Sequence, residues 1–178
     1  EAEQSLGPMQ REPAGLLRVS APMSLSLLRI CPAVPAFLER YPQVSLDLNL
    51  EDRRVDIVKE GFDLAIRGTD RLEDSSLVAR KLMTLDHVLC GAPSYFRRVG
   101  MPASPEAVRG MERVQFTLSG HADEWVFTRA GQTQRVPVQG RYKVSSSLAV
   151  RDALRAGFGV SLVPRVYVQD DLDQGALQ

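Results

Sequence analysis

Hydrophobic positions in the first third of the chain change rhythm several times. Val44, Leu46, Leu48 and Leu50 alternate with Ser45, Asp47 and Asn49, the period-two pattern of a strand with one buried face. Leu16 to Ser20 predicts an earlier strand, and a helical segment carrying Leu27, Leu28, Val34, Phe37 and Leu38 lies between the two. Pro32 and Pro35 should kink or divide that helix, because proline removes an amide donor and crowds the preceding turn. From Asp52 to Arg67 the pattern predicts a short helix bearing Val55, Ile57 and Val58, capped near Asp52 and stopped at Gly61. A third strand follows, with Phe62, Leu64 and Ile66 on one side, Asp63 and Ala65 on the other, and Arg67 at its exit. Strand, helix, strand, helix, strand is the order of a parallel sheet covered by helices, so the chain is read as α/β.

Downstream, Leu77 to Leu82 and Asp86 to Cys90 read as strands, and Pro93 to Gly100 and Ser104 to Gly110 as short helices. Strand candidates follow at Arg113 to Leu118, Trp125 to Thr128, Gln134 to Val138 and Arg141 to Val144, with a hairpin turn at Ala130-Gly131. A helix from Ser147 to Ala156, a strand from Val160 to Val163 and a helix from Pro164 to Leu172 close the series.

Composition narrows the function. With 178 residues, 44% of them hydrophobic, the chain can bury a core as one domain or two small lobes. Lysine plus arginine number 22 and aspartate plus glutamate also 22, a balance without the basic excess that displaces counterions from DNA. No apolar run is long enough to span a bilayer, and EAEQSLGPMQREP lacks the apolar core of an export signal, which gives a cytoplasmic expectation. Glu1 to Pro13, interrupted by Gly7, Pro8 and Pro13, reads as a linker. Cys31 and Cys90 lack CxxC spacing and read as buried free thiols.

The run DRRVDIVKEGFDLAIR from Asp52 to Arg67 resembles a hallmark of the effector-binding domain of LysR-type transcriptional regulators. LRVSAP (17–22), PAFLERYP (35–42), DSSLVARKL (74–82), LCGAPSY (89–95) and AGFGVSLVP (156–164) carry the likeness through nearly everything from Gly15 onward. The resemblance implies a two-lobed, type 2 periplasmic-binding-protein-like α/β fold, each lobe a mostly parallel sheet flanked by helices, joined by two crossover connections. On that scheme 1–14 is a linker towards a DNA-binding domain outside this chain, 15–87 with 164–178 form lobe I, and 88–163 form lobe II. It also implies a homodimer, a tetramer for the full-length protein, and DNA contact only through a helix-turn-helix domain that this chain lacks.

Parallel α/β sheets bind ligands beyond the carboxyl ends of their strands. Two such ends carry serines: Ser24 and Ser26, with Leu25 between them, after the first strand, and Ser145, Ser146 and Ser147 before the helix Leu148 to Ala156. Arg67, Gly68 and Thr69 join the first wall, and the set suits a small carboxylate effector. The resemblance adds Phe158, in the loop between Gly157 and Gly159. Each has a plainer explanation. Single serines are ordinary N-caps worth roughly 1 kcal/mol, Arg67 has Asp63 and Asp70 as alternative salt-bridge partners, and Phe158 can serve as a core plug.

Enzymatic readings find little support. His87 and His121 form no HExxH, no GxSxG elbow occurs, GFG at 157–159 lacks the third glycine of a dinucleotide fingerprint, and no phosphate-binding GxxxxGK[ST] loop is present. No catalytic residue, metal ligand or cofactor is therefore expected. The alternatives to a sensing domain are a solute-binding protein of a transport system and, behind it, an enzyme on the same scaffold.

Overall fold

The computed structural model describes residues 12–53, 55–69, 77–118 and 120–178. The expected linker therefore falls largely outside the described residues, as do Asp70 and the start of the 74–82 motif. The chain divides into two compact units, one ending at Arg67 and the other running from Gly68 to Gln178.

The first unit is built on a three-stranded parallel sheet in the order β2-β1-β3, with β1 spanning Gly15–Ala21, β2 Val44–Leu50 and β3 Leu64–Ala65. In β2 the side chains alternate between half-buried Val44, Leu46, Leu48 and Leu50 and exposed Ser45, Asp47 and Asn49, as the sequence alternation requires. β1 is central and the most buried, with Val19, Ser20 and Ala21 nearly inaccessible. It pairs with β2 from Gly15↔Val44 to Ala21↔Leu50, and with β3 at Val19↔Leu64 and Ser20↔Ala65.

Between β1 and β2 the chain stays helical but changes pitch. It opens as α1 (Met23–Leu25), widens to a π-helical stretch at Ser26–Ile30, tightens to a 3₁₀ turn at Cys31–Ala33, and continues as α2 (Val34–Arg40). Pro32 and Pro35 lie within the first positions of the last two segments, where a missing amide costs least. The expected division by proline thus takes the form of altered winding.

Two expectations for this unit need correction. The short helix after Asp52 is a single hydrogen-bonded turn, closed by Glu60 N donating to Asp56 O and Phe62 N to Ile57 O. Its side-chain cap is Asp56, whose Oδ1 accepts from Lys59 N at 3.1 Å, whereas Asp52 Oδ1 accepts from Met23 N at 3.1 Å. Gly61 does supply the stop, at φ +70°. The following strand pairs only at Leu64–Ala65; Phe62 is buried, but Leu64 is 40% exposed.

Among its described residues the second unit holds three two-stranded pairings. β4 (His87–Gly91) runs antiparallel to β9 (Val160–Pro164), β5 (Val114–Phe116) parallel to β8 (Tyr142–Val144), and β6 (Glu124–Arg129) antiparallel to β7 (Gln132–Pro137). Ala130 and Gly131, at φ 50° and 79°, make the β6–β7 turn. Its helices are α3 (Pro93–Val99), a 3₁₀ turn at Pro105–Gly110, α4 (Ser147–Arg155) and α5 (Gln169–Asp173). Tyr95, Phe96, Val108, Trp125, Val138 and Val160 form its core, and Leu89, Met111, Phe127 and Leu162 pack against them. No strand forms at 77–82, where Leu77, Val78 and Leu82 are exposed. The expected helix from Pro164 is a 3₁₀ turn at Arg165–Tyr167 followed by α5.

The carboxyl-terminal residues group with this second unit. Arg165 N donates to Asp86 O, Gly91 and Gln178 exchange backbone hydrogen bonds, and Arg155 Nε reaches Asp171 Oδ1 at 2.6 Å.

Candidate functional site

The carboxyl edge of the first-unit sheet is where polar side chains converge. Parallel pairing in register brings the ends of β1, β2 and β3 together, and the ladder extends past the strands as Glu51 N donates to Ala21 O and Ile66 N to Ser20 O. Glu51, Pro22 and Arg67 therefore leave the sheet side by side. Arg67 donates from Nη2 to Ser20 Oγ at 2.6 Å and from Nη1 to Ile66 O at 2.8 Å. Ser20 Oγ, itself fully buried, donates onward to Glu51 Oε1 at 3.4 Å. Glu51 is also paired with Arg53 at 2.5 Å, and Arg53 is gripped by both carboxylate oxygens of Glu60.

Two polar atoms at this edge are buried without a hydrogen-bond partner: Ser26 Oγ and Arg67 Nε. Buried polar atoms are nearly always paired, so these two have donor or acceptor capacity that the described residues leave unused. Burial lowers the Arg67 pKa from its ordinary value, while Glu51 and Asp52 oppose that shift. Of the two salt-bridge partners considered for Arg67, Asp63 instead accepts from Arg18 N at 2.7 Å through Oδ2, and Asp70 lies outside the described residues.

Ser24 is buried at 4% exposure and Leu25 half-buried, both within α1, which follows β1 directly. Ser24, Leu25, Ser26 and Arg67 are thus all carried by segments leaving one sheet edge. Gly68 and Thr69 are exposed and belong to the second unit. Sequence reasoning passed over Ser20 and Glu51, which become neighbours only through the β1–β2 register.

In the second unit Ser145, Ser146 and Ser147 follow β8 into α4. Ser146 is the N-cap, its Oγ accepting from Ala149 N at 3.4 Å, so the capping explanation holds for this residue. Ser147 is buried and Ser145 exposed. The Phe158 ring is edge-on to Tyr142 at 6.0 Å and has the Arg141 guanidinium over it at 5.4 Å. Phe158 thus occupies a half-buried aromatic-cation cluster beside β8 instead of filling the core.

His87 and His121, far apart in sequence, bring their rings to 5.3 Å in an edge-to-face contact. Among the described residues no group of three or more histidine, cysteine, aspartate or glutamate side chains is placed to hold a metal, and no helix is long and apolar enough to cross a membrane.

The family model of the LysR substrate binding domain matches residues 10–178. Among curated proteins, the chain is 33% identical over 175 residues to the probable HTH-type transcriptional regulator LtrA of Klebsiella pneumoniae, covering 98% of this chain and 56% of that protein. It is 30% identical over 170 residues to the HTH-type transcriptional regulator PtxR of Pseudomonas aeruginosa, covering 95% and 54%. Among solved structures, the regulatory domain of CrgA, a LysR-type transcriptional regulator from Neisseria meningitidis, superposes with a TM-score of 0.82 at 28% identity, over 93% of this chain and 80% of that one. Full-length AphB, a Vibrio cholerae virulence activator of the same family, gives 0.81 at 28% identity, over 94% and 57%. The chain spans little more than half the length of the curated relatives it matches. Hallmark motif, mixed α/β fold with a parallel first-unit sheet, and a family match over nearly its whole length agree: this chain belongs to the LysR substrate-binding domain family, with a periplasmic-binding-protein-like fold.

Proposed function

We propose that this chain is the sensing part of a transcriptional regulator that binds a small carboxylate effector in a cleft between two lobes. In this reading 15–87 with 164–178 form one lobe and 88–163 the other, with the chain crossing between them near 85–90 and near 162–165. Ser24, Leu25, Ser26, Arg67, Gly68 and Thr69 contribute one wall; Ser145, Ser146, Ser147 and Phe158 contribute the other. The observation that carries the reading is the sheet edge holding a cation, Arg67, with a buried and unused Nε–H, and the buried and unused hydroxyl of Ser26 on the segment that leaves β1 at the same edge. A carboxylate oxygen is the natural acceptor for that N–H.

Signal transfer follows from differential affinity. An effector that binds one arrangement of the lobes or subunits more tightly shifts the population towards it, and by no more than the ratio of the two affinities. A homodimer, tetrameric in the full-length protein, would convert that shift into the spacing of helix-turn-helix domains on DNA in the cytoplasm.

A thermal-shift screen over small carboxylates tests the assignment, since a ligand of the native state raises its melting temperature by mass action. For an acid that stabilises the protein, Arg67→Ala should abolish the shift and the Ser24→Ala, Ser146→Ala double variant should weaken it. An unchanged response in both variants would overturn the site.

A further inference from the structure

Resting on the effector site just described, we propose that Glu51 is a recognition residue beside Arg67, and that the effector is a carboxylic acid bearing a hydroxyl or ammonium group on the adjacent carbon. Arg67 is not an isolated cation awaiting an anion. One hydroxyl, that of Ser20, separates it from the Glu51 carboxylate, with hydrogen bonds of 2.6 and 3.4 Å. The next residue, Asp52, brings a second carboxylate to the same edge, where its Oδ1 accepts from Met23 N. Arg53 offsets part of this negative charge but is itself held by Glu60. The wall is therefore closer to a neutral acid-base pair than to a positive patch.

A plain monocarboxylate at such a wall gains the Arg67 attraction and meets repulsion from Glu51. An acid with a neighbouring donor satisfies both: its carboxylate takes the unused Arg67 Nε–H, and its hydroxyl or ammonium donates to Glu51. Ser26 Oγ, fully buried and unpartnered, provides one further hydrogen-bonding position. Sites built to hydrogen-bond a ligand hydroxyl or amine discriminate strongly against analogues without it, because the protein group is then left unpaired.

The test compares three acids of equal carbon count, propionate, L-lactate and L-alanine, each at the same concentration and ionic strength, by the melting temperature of the unmutated chain and of Glu51→Met, which removes both acceptor oxygens at similar side-chain length. L-lactate or L-alanine should raise the melting temperature at least threefold more than propionate. Glu51→Met should bring the probes level. Propionate matching or exceeding both others on the unmutated chain, or a preference that survives in Glu51→Met, overturns the role of Glu51 while leaving the carboxylate site standing if Arg67→Ala abolishes the shifts. Silence from all three probes overturns the small-carboxylate reading and this inference with it. Glu51→Ala gives the same comparison should Glu51→Met fail to fold, and the order among the probes on the unmutated chain tests the ligand class without either variant.

Discussion

Cys90 shows how burial sets the chemistry of a single side chain. It is 1% exposed on β4, and removal from water pushes its thiol up to about 12, with Asp171 adding to the shift and Arg165 opposing it. The folded thiol is thus held neutral while the unfolded one ionises near its ordinary value of 9.0. Stability is unaffected by this group below that value and falls as pH rises from about 9 towards 12, because the unfolded chain then binds fewer protons. Cys90 should stay inert to a thiol-specific reagent at pH 8 until denaturant is added, whereas half-buried Cys31 reacts in the native protein. Two modified thiols per native chain at the first time point would contradict this. Gly159 makes the complementary steric case: a Cβ there would lie 2.4 Å from Glu112 O, across the strand contact in which Val160 N donates to that same oxygen. Position after a strand and before a helix made the serines legible as site candidates. Glu51 was not legible, because a glutamate after a strand reads as a solvated charge until the β1–β2 register sets it against Ser20.

At the scale of elements, an ion pair links α4 to α5. Asp171 is 3% exposed and takes its charge partner from α4, through Arg155 Nε at 2.6 Å. Removing Arg155 leaves a buried carboxylate unpaired, so Arg155→Ala should cost about 2–3 kcal/mol in urea unfolding, somewhat below the range for fully buried pairs because the arginine is 44% exposed. Asp171→Asn should cost less, since the charge it leaves behind, on Arg155, is 44% exposed and keeps Asp152 at 3.8 Å. A change under about 0.5 kcal/mol for Arg155→Ala would place the pair among ordinary surface bridges. The elements that matched expectation, β1, β2, β4 to β9, α3 and α4, are those that their own hydrophobic period, turn or cap marks. Those that departed from it depend on neighbours. A strand at 77–82 needs an adjacent edge to take its hydrogen bonds, and the single turn after Asp52 is closed at Gly61 before a second can form.

For the whole molecule, apolar side chains left in solvent are the informative feature. Leu16 is 62% exposed, Leu27 47% and Val58 76% in the first unit, where Val19, Ala21 and Phe62 are the buried hydrophobic residues among those described. Such surface favours association, and the proposed dimer should appear in sedimentation velocity as a species whose share grows with loading concentration. A chain that stays monomeric at the highest concentrations would contradict it. The α/β class and most strands and helices follow from the amino-acid order alone, because hydrophobic period, glycine stops and capping residues act over a few positions and are written locally, while the family is carried by the resemblance of whole motifs, the 52–67 run above all. Folding in three dimensions was needed to establish that Arg67 meets Ser20 and Glu51, that Asp52 serves Met23 instead of its own turn, and that α5 is tied to α4. Those contacts join residues from 16 to 47 positions apart, and strand register and packing, which no local pattern encodes, select them.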